Sequence, residues 1–339
     1  MEPFARRVTI ADIASAAGVS RATVSKVLNR RSDVSPETRA HVEGILAARE
    51  YVPTRRTRPA PPGDDQGGLI EMLFNDAATP WAAEMIRGAE QTARAARVGV
   101  VVSVLGDGAD RGRQWVRDVA ARRSRGVILA LSQLTATEQR QITRLGVPTI
   151  LVDPVGDVDS DIPSIGADNW GGGMSATRHL IELGHRRIAT VTGPMRYLCS
   201  QARLAGYRAA LERAGIAGDE RLVESGDFHY GSALKAALNL LDLPDPPTAI
   251  FAANDEQALA VYAAAQQRGL RIPRDLSVVG FDDVPMSQWV TPPLTTVRQP
   301  ITELAGLATR MLLGDADNPQ GRVELATTLV VRGSTEPPS

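Results

Sequence analysis

The sequence predicts two unlike parts: a small all-helical headpiece at the amino end and a larger α/β body built on parallel sheets. Three observations predict this. Residues 9–50 carry three short helical periodicities, each with its own capping signal; residues 53–68 are crowded with proline, glycine and arginine; and beyond Gly68 apolar strand-length runs alternate with amphipathic helices. At 339 residues the chain exceeds one ordinary domain, and its natural divisions are a headpiece at 1–58, a linker at 59–67 and a body at 68–334.

In the headpiece, Thr9 is placed to cap a first helix, with Asp12 as its capping-box partner and Ile10, Ile13, Ala14 and Ala17 on one apolar face. Gly18 supplies the left-handed residue that ends it. Ser20 caps a second helix that turns Val24, Val27 and Leu28 inward. A third is announced by Ser35, Pro36 and Glu37 and runs to about Glu50, with Ala40, Val42, Ile45 and Leu46 available to a core. Helix, glycine turn, helix and supporting helix is the helix-turn-helix plan, whose second helix enters the major groove of DNA.

Charge supports that plan. Of the chain's 38 Lys+Arg and 39 Asp+Glu, residues 1–58 hold 11 and 6, leaving 27 and 33 for the remainder, so a basic head sits on an acidic body. Only the head is suited to a polyanion. The outward positions of the second helix, Ser20, Arg21, Ala22, Thr23, Ser25, Lys26 and Asn29, include no carboxylate. Arg21 and Lys26 have the donors to pair with guanine, and Ala22 can pack on a thymine methyl. Thr9, Ser20, Thr23 and Asn29 read as caps or phosphate contacts, which position a protein on DNA without reading sequence.

The stretch VTIADIASAAGVSRATVSKVLNRRSDVSPETRAHVEGILAAREYVP closely resembles the headpiece of LacI/GalR-family bacterial transcription regulators. The resemblance implies that Arg21, Ala22 and Lys26 read the operator, with Lys26 where arginine is more common. That family then usually places a hinge helix with an Ala-x-x-Leu element. This chain has TRRTRPAPPGDDQGG instead, with Thr57 and Ala60 at those two positions and Pro59, Pro61 and Pro62 opposing a helix. An extended linker is expected, with Arg55, Arg56 and Arg58 on phosphates or in a narrow minor groove.

In the body, the strand candidates are 69–74, 98–105, 126–131, 149–152, 188–192, 248–253 and 277–281, with helices over 81–96, 172–184, 200–214 and 255–268 among the segments between them. The LacI/GalR resemblance continues through ELGHRRIATVTGP, RLAGYRAAL, FAANDEQALA, LSVVGFDDVP and PPLTTVRQP. It implies a two-lobed, periplasmic-binding-protein-like effector domain with a small-molecule effector in the cleft, and a homodimer. Asp153, Asn254, Asp255, Asp282 and Asp283 all follow strands, where parallel sheets place their ligands. Matched position by position, the family's effector contacts carry to Thr79, Trp81, Asp153, Arg203, Phe228, Asn254, Asp282 and Gln299. Trp81 and Phe228 are the aromatic platforms suited to stack on sugar rings, and the polar groups suit sugar hydroxyls.

No enzyme constellation stands out. GDGADRG (106–112) has Arg111 in place of the third glycine of a dinucleotide fingerprint, and the Ser-x-x-Lys at 232–235 lacks its companion motifs. The four histidines are scattered and Cys199 is the single cysteine, so neither a metal site nor a cofactor is expected; His185 reads as a favourable charge at a helix end. No apolar run approaches the length of a membrane span, and the first residues lack a signal peptide, so a cytoplasmic protein is expected. The function that the residues and the LacI/GalR resemblance together imply is a sequence-specific repressor of carbohydrate genes, released from a palindromic operator by a small sugar. TPWAAEMIRGAE and RYLCSQARLAGYRAAL resemble stretches of regulators for plant-wall sugars, and that resemblance implies a pentose or a β-linked disaccharide such as xylobiose. The alternatives are a regulator activated by a purine or sugar phosphate, and a sugar-binding protein with no regulatory role.

Overall fold

The computed structural model describes residues 10–28, 35–48, 68–106, 111–131, 136–154, 162–316 and 322–339. They form two compact units, one within residues 1–60 and the other within 61–339.

The first unit holds α1 (Ile10–Ala17), α2 (Arg21–Leu28) and α3 (Pro36–Ala48). Gly18 ends α1 at φ +64°, as a left-handed cap requires. Ser20 Oγ accepts the Thr23 N–H at 3.1 Å and Ser35 Oγ accepts the Thr38 N–H at 3.2 Å, so both expected caps form. Ile13, Ala14, Ala17, Val24, Val27 and Val42 make the core, joined by Val19, Ile45 and Leu46. Complete burial of side chains such as Ile13 and Val24 contributes roughly 1.5–3 kcal/mol each. Ala40, expected inside, is exposed. The apolar stripe of α3 is Val42, Ile45 and Leu46, and two helical steps back from Val42 carry residue 40 to the opposite face. Thr9, Asn29, Arg55, Arg56, Arg58 and the linker 59–67 lie outside the described residues, as does the side chain of Asp12.

The second unit has two lobes. The first contains β1 (Leu69–Phe74), α4 (Pro80–Ala95), β2 (Gly99–Val104), α5 (Arg111–Arg122), β3 (Gly126–Ala130), α6 (Ala136–Leu145), β4 (Thr149–Val152) and β5 (Ser164–Ala167). The chain then crosses to α7 (Asn169–Glu182), β6 (Ile188–Thr192), α8 (Leu198–Arg213), β7 (Val223–Ser225), α9 (Tyr230–Leu241), β8 (Ala249–Ala252), α10 (Asp255–Gln267), β9 (Ser277–Asp282) and β10 (Thr295–Arg298) of the second lobe. It returns with α11 (Ile301–Leu313) and β11 (Arg322–Leu325) and crosses once more into β12 (Thr328–Val330). One sheet runs β11-β5-β4-β3-β1-β2, parallel throughout; the other runs β12-β10-β9-β8-β6-β7, antiparallel only at β12. Three chain crossings therefore join the lobes. The first and third are tied together, because Asp168 N–H donates to the Leu325 carbonyl at 2.8 Å and Thr327 Oγ1 to the Asp168 carbonyl at 3.2 Å.

The expected strands and helices recur with shifts of a residue or two, except that α7 begins at Asn169 and not at 172. The glycines of NWGGG lie inside the helix, which Asp168 caps by accepting the Gly171 N–H at 2.8 Å. Their role is close packing. A Cβ on Gly173 would stand 2.3 Å from the Arg203 carbonyl, and one on Gly206 of α8 would stand 2.2 Å from the Trp170 carbonyl. The near-touching backbones of α7 and α8 are what set Arg203 in place.

His185 also departs from expectation. It is buried, its Nδ1 lies 2.8 Å from Thr248 Oγ1 and its Nε2 lies 3.0 Å from the Glu336 carbonyl. Burial holds its pKa below the ordinary histidine value, so it works as a neutral tether for the C-terminal residues and not as a helix-end cation. Glu336 N–H also reaches Ser277 Oγ at 3.1 Å, which fastens residues beyond 334 to the second lobe.

Candidate functional site

Between the lobes lies a cleft of about 490 Å³, within the range of small-molecule sites. All eight residues singled out in the body, Thr79, Trp81, Asp153, Arg203, Phe228, Asn254, Asp282 and Gln299, line it. Asp153 follows β4, Asn254 follows β8, Asp282 ends β9 and Gln299 follows β10, so the carboxyl ends of parallel strands deliver them.

Two of these residues are also helix caps. Thr79 Oγ1 accepts the Ala82 N–H at 3.1 Å at the start of α4, where Trp81 meets Phe74 edge to face at 6.4 Å. Asn254 Oδ1 accepts the Gln257 N–H at 2.8 Å at the start of α10, while its Nδ2 donates to the Phe228 carbonyl at 2.9 Å. That second bond pins a residue whose φ is +74°. Leu131, Asp153 and Asp282, at φ +46°, +45° and +112°, also line the cleft with left-handed backbones, an arrangement that ligand sites often hold in place.

Arg203 is the central cation. It is almost wholly buried, its guanidinium lies 3.7 Å from the centre of the Phe281 ring, its Nε donates to Asn169 Oδ1 at 2.8 Å, and its Nη1 bonds the Ala253 carbonyl and stands 3.8 Å from Asp282 Oδ1. Burial raises the pKa of Asp282 to about 7; Arg203 and a hydrogen bond from Gln299 Nε2 at 2.5 Å oppose that rise, and Asp153 adds to it. Asp153 is likewise raised by burial, against the pull of Arg203 and Arg322. The site is therefore a desolvated charge cluster in which burial raises the pKa of both carboxyl groups. Gln299 Oε1 is buried and finds no hydrogen-bond partner among the described residues, leaving an acceptor for a ligand hydroxyl.

Asp255 and Asp283 do not join the cleft. Asp255 is buried beneath it, accepting the Val284 N–H at 2.9 Å and the Thr296 hydroxyl at 2.5 Å, and burial lifts its pKa well above the usual carboxylate value. Asp283 is held by Arg298 and Arg332. Both support the turn that presents Asp282.

The residue-by-residue reading missed Asn75, Asp76, Arg196, Tyr197, Asp227 and His229, which also line the cleft. Asn75 and Asp76 directly follow β1, so the rule that found Asp153 would have found them. It also missed Asn169, which joins Arg203 to Asp153 through an Nδ2 contact of 3.5 Å. No local signal marks that residue, because its role depends on packing between α7 and α8.

In the headpiece, the cap residue Ser20 and Lys26 of α2 are exposed, and Thr23 is half-buried. Ser20 is committed to its cap and also lies 2.9 Å from Thr23 Oγ1. Of Arg21, Ala22 and Ser25 only the helical backbone is described. Among the described residues no group of His, Cys, Asp and Glu is arranged to hold a metal ion, and no helix is long and apolar enough to cross a membrane.

Residues 9–54 match the family of bacterial regulatory proteins, lacI family, and residues 177–335 match the periplasmic binding protein-like domain. The ribose operon repressor of Escherichia coli (strain K12) is 34% identical over 332 residues, covering 96% of this chain and 99% of that one. The structure of the transcriptional regulator CelR–cellobiose complex is similar with a TM-score of 0.71 at 34% identity, covering 97% of this chain and all of the other. The lac repressor dimer bound to operator and the anti-inducer ONPF matches with a TM-score of 0.69 at 30% identity, over 98% of this chain and all of that one. A helix-turn-helix headpiece, a two-lobed α/β body and likeness along nearly the whole length lead to one conclusion: the chain belongs to the LacI family of bacterial regulatory proteins.

Proposed function

We propose that this protein is a homodimeric repressor that binds a near-palindromic operator and releases it when a neutral sugar fills the cleft. The observation that carries the reading is the convergence of Asp153, Arg203, Asn254, Asp282 and Gln299 with Trp81 and Phe228 on one cleft. Hydrogen-bonding groups on several sides and aromatic rings at two positions suit a polyhydroxylated ring. The headpiece supplies DNA binding, with Lys26 and Arg21 as the readers and Arg55, Arg56 and Arg58 as phosphate or minor-groove contacts. Two headpieces related by a twofold axis need two half-sites, hence the palindrome.

The favoured ligand class is a pentose or a β-linked disaccharide. The ribose operon repressor and the CelR–cellobiose complex carry in their names a pentose and a β-linked disaccharide. A phosphorylated ligand fits poorly, because Asp76, Asp153, Asp227 and Asp282 line the same cleft with Arg203 as its buried cation, and a dianion would face like charges. An enzymatic role has no support from the relatives, which are regulators.

Thermal unfolding tests the ligand class, since anything that binds the folded state raises Tm by mass action. Ribose, xylose, xylobiose and cellobiose form one arm, and glucose 6-phosphate and hypoxanthine the other. The reading expects a saturable rise with one of the neutral sugars. A rise confined to the phosphorylated or purine ligands would overturn it.

A further inference from the structure

Four residues of the cleft outside the set just described bring the lobes into direct contact. Asn75 and Asp76 are consecutive residues after β1 of the first lobe, and they reach two separate loops of the second. Asn75 Nδ2 donates to the Leu131 carbonyl of its own lobe at 3.0 Å and, across the cleft, to Tyr197 Oη at 3.3 Å. Asp76 Oδ2 lies 3.4 Å from His229 Nε2. Each partner is held from behind. Asp76 Oδ1 accepts the Ala78 N–H at 2.7 Å, which orients its carboxylate. His229 N–H donates to Asp227 Oδ1 at 3.0 Å, and its Nδ1 faces Glu256 Oε1 at 3.7 Å, while Glu256 also accepts the Tyr230 N–H at 2.9 Å. Tyr197 packs against Phe228 at 5.9 Å between ring centres, and the Arg196 guanidinium lies 4.7 Å from the centre of the Tyr197 ring.

The burial of these groups is graded. Tyr197 is buried, whereas the Asp76 and His229 side chains are nearly half exposed at 46% and 43%. The inner contact is thus shielded and the outer one faces water at the rim of the cleft. Phe228, immediately before His229, has the left-handed backbone pinned by Asn254. One strained segment therefore aims a ring into the cleft and an imidazole across its rim.

From this we infer that Asn75–Tyr197 and Asp76–His229 form a two-point latch that sets the spacing of the lobes, making these four positioning residues for the groups that face the ligand. The inference rests on the cleft being the effector site, but the latch itself can be tested with no effector present. Because Asn75 and Asp76 are neighbours on one short segment, opening the lobes must break both contacts together, and the two act as one switch between a closed and an open arrangement. In the closed arrangement Asp153 of the first lobe and Arg203 and Asp282 of the second face one another as described; in the open one they do not.

The test is a spin-label distance measurement on the full chain. Nitroxides go on Ala120→Cys of α5 and Gln266→Cys of α10, both exposed, with labelled protein diluted into unlabelled protein so that only distances within one chain are read. Native Cys199 is buried and stays unlabelled. The latch predicts a narrow distribution for the otherwise native protein, and for Asp76→Asn with Tyr197→Phe a broader one shifted to longer distance at an unchanged Tm. A double variant that matches the parent distribution, or a parent distribution already as broad as the variant's, would overturn the inference. A Tm drop in the double variant transfers the comparison to Asn75→Ser, judged by the same two outcomes. Failure of every sugar to bind leaves this readout untouched, so the two readings fail separately.

Discussion

The headpiece and the cleft both offer polar groups to a ligand, but one does so at the surface and the other in the interior. Ser20, which caps α2, and Lys26 within it stand in solvent, where charges are screened and cost little to keep. In the cleft, Arg203, Asp153, Asp282 and Gln299 are each no more than 5% exposed, so every charge there is maintained against a desolvation penalty by its neighbours. Substitutions on α2 should therefore change DNA affinity while leaving the fold alone, and substitutions in the cleft should change stability and ligand binding together.

The largest test of this contrast removes one region outright. A chain lacking residues 1–58 should lose all measurable operator binding in a gel-shift assay yet keep the sugar-dependent rise in Tm of the full protein. Loss of that rise would mean that the two regions are not separable. Next in size is Arg203→Met. It leaves two buried carboxylates without their shared cation and should cost roughly 3–5 kcal/mol in urea unfolding, as well as abolishing the response to sugar. A cost below about 1 kcal/mol would show that solvent, and not Arg203, offsets those charges.

Lys26→Ala should weaken operator binding by roughly 1–3 kcal/mol in fluorescence anisotropy, with Tm unchanged. The salt dependence sharpens this test: a lysine that sits on a phosphate lowers the slope of affinity against salt by about one when removed, whereas a base reader relaxes sequence preference instead. Asn254→Ala comes below these. Loss of the cap on α10 costs about 1 kcal/mol, and release of the Phe228 carbonyl should add a drop in sugar affinity that a cap alone would not cause. Calorimetry at equal fractions folded separates the two effects.

The contrast also has a pH dependence. The folded-state pKa of Asp282 is raised from 3.8 to about 7, so the folded protein holds an extra proton between those values, and this group's contribution to stability is full at low pH and lost as pH rises through about 7. His179 and His185, held low by burial, act the other way and destabilise the fold as pH falls below about 6.5. The Asp282 share is therefore read as the difference in stability between the wild type and Asp282→Asn, which should decline steadily from pH 4 to pH 7. A flat difference would place the titration elsewhere.

The headpiece was readable because its determinants are local. A cap at Ser20, a left-handed glycine at Gly18 and an apolar stripe at Val24 and Val27 each act within one turn of chain, and the structure reproduces all of them. The cleft candidates were readable for a different reason. A residue at the carboxyl end of a parallel strand has few places to go, and family likeness added the rest, such as Trp81, Arg203 and Phe228, which no strand end marks. What stayed hidden depended on packing between distant segments. Asp255 and Asp283 sit beside Asn254 and Asp282 in sequence, but one is buried beneath the cleft and the other is claimed by Arg298 and Arg332. Asn169 follows a crossover whose partner strand lies more than 150 residues later in the chain. His185 looked like a helix-end cation until the C-terminal residues were seen to enclose it.

The central claim is that occupancy of the cleft controls the grip of the headpiece. It is tested most directly by titrating the full-length protein onto a fluorescent operator duplex with and without saturating amounts of the sugar that raises its Tm. The affinity for DNA should fall at least tenfold with the sugar, with no such change for the Arg203→Met protein. A sugar that stabilises the wild type while leaving operator affinity the same within twofold would contradict it, because a ligand that does not distinguish the two states cannot shift the balance between them.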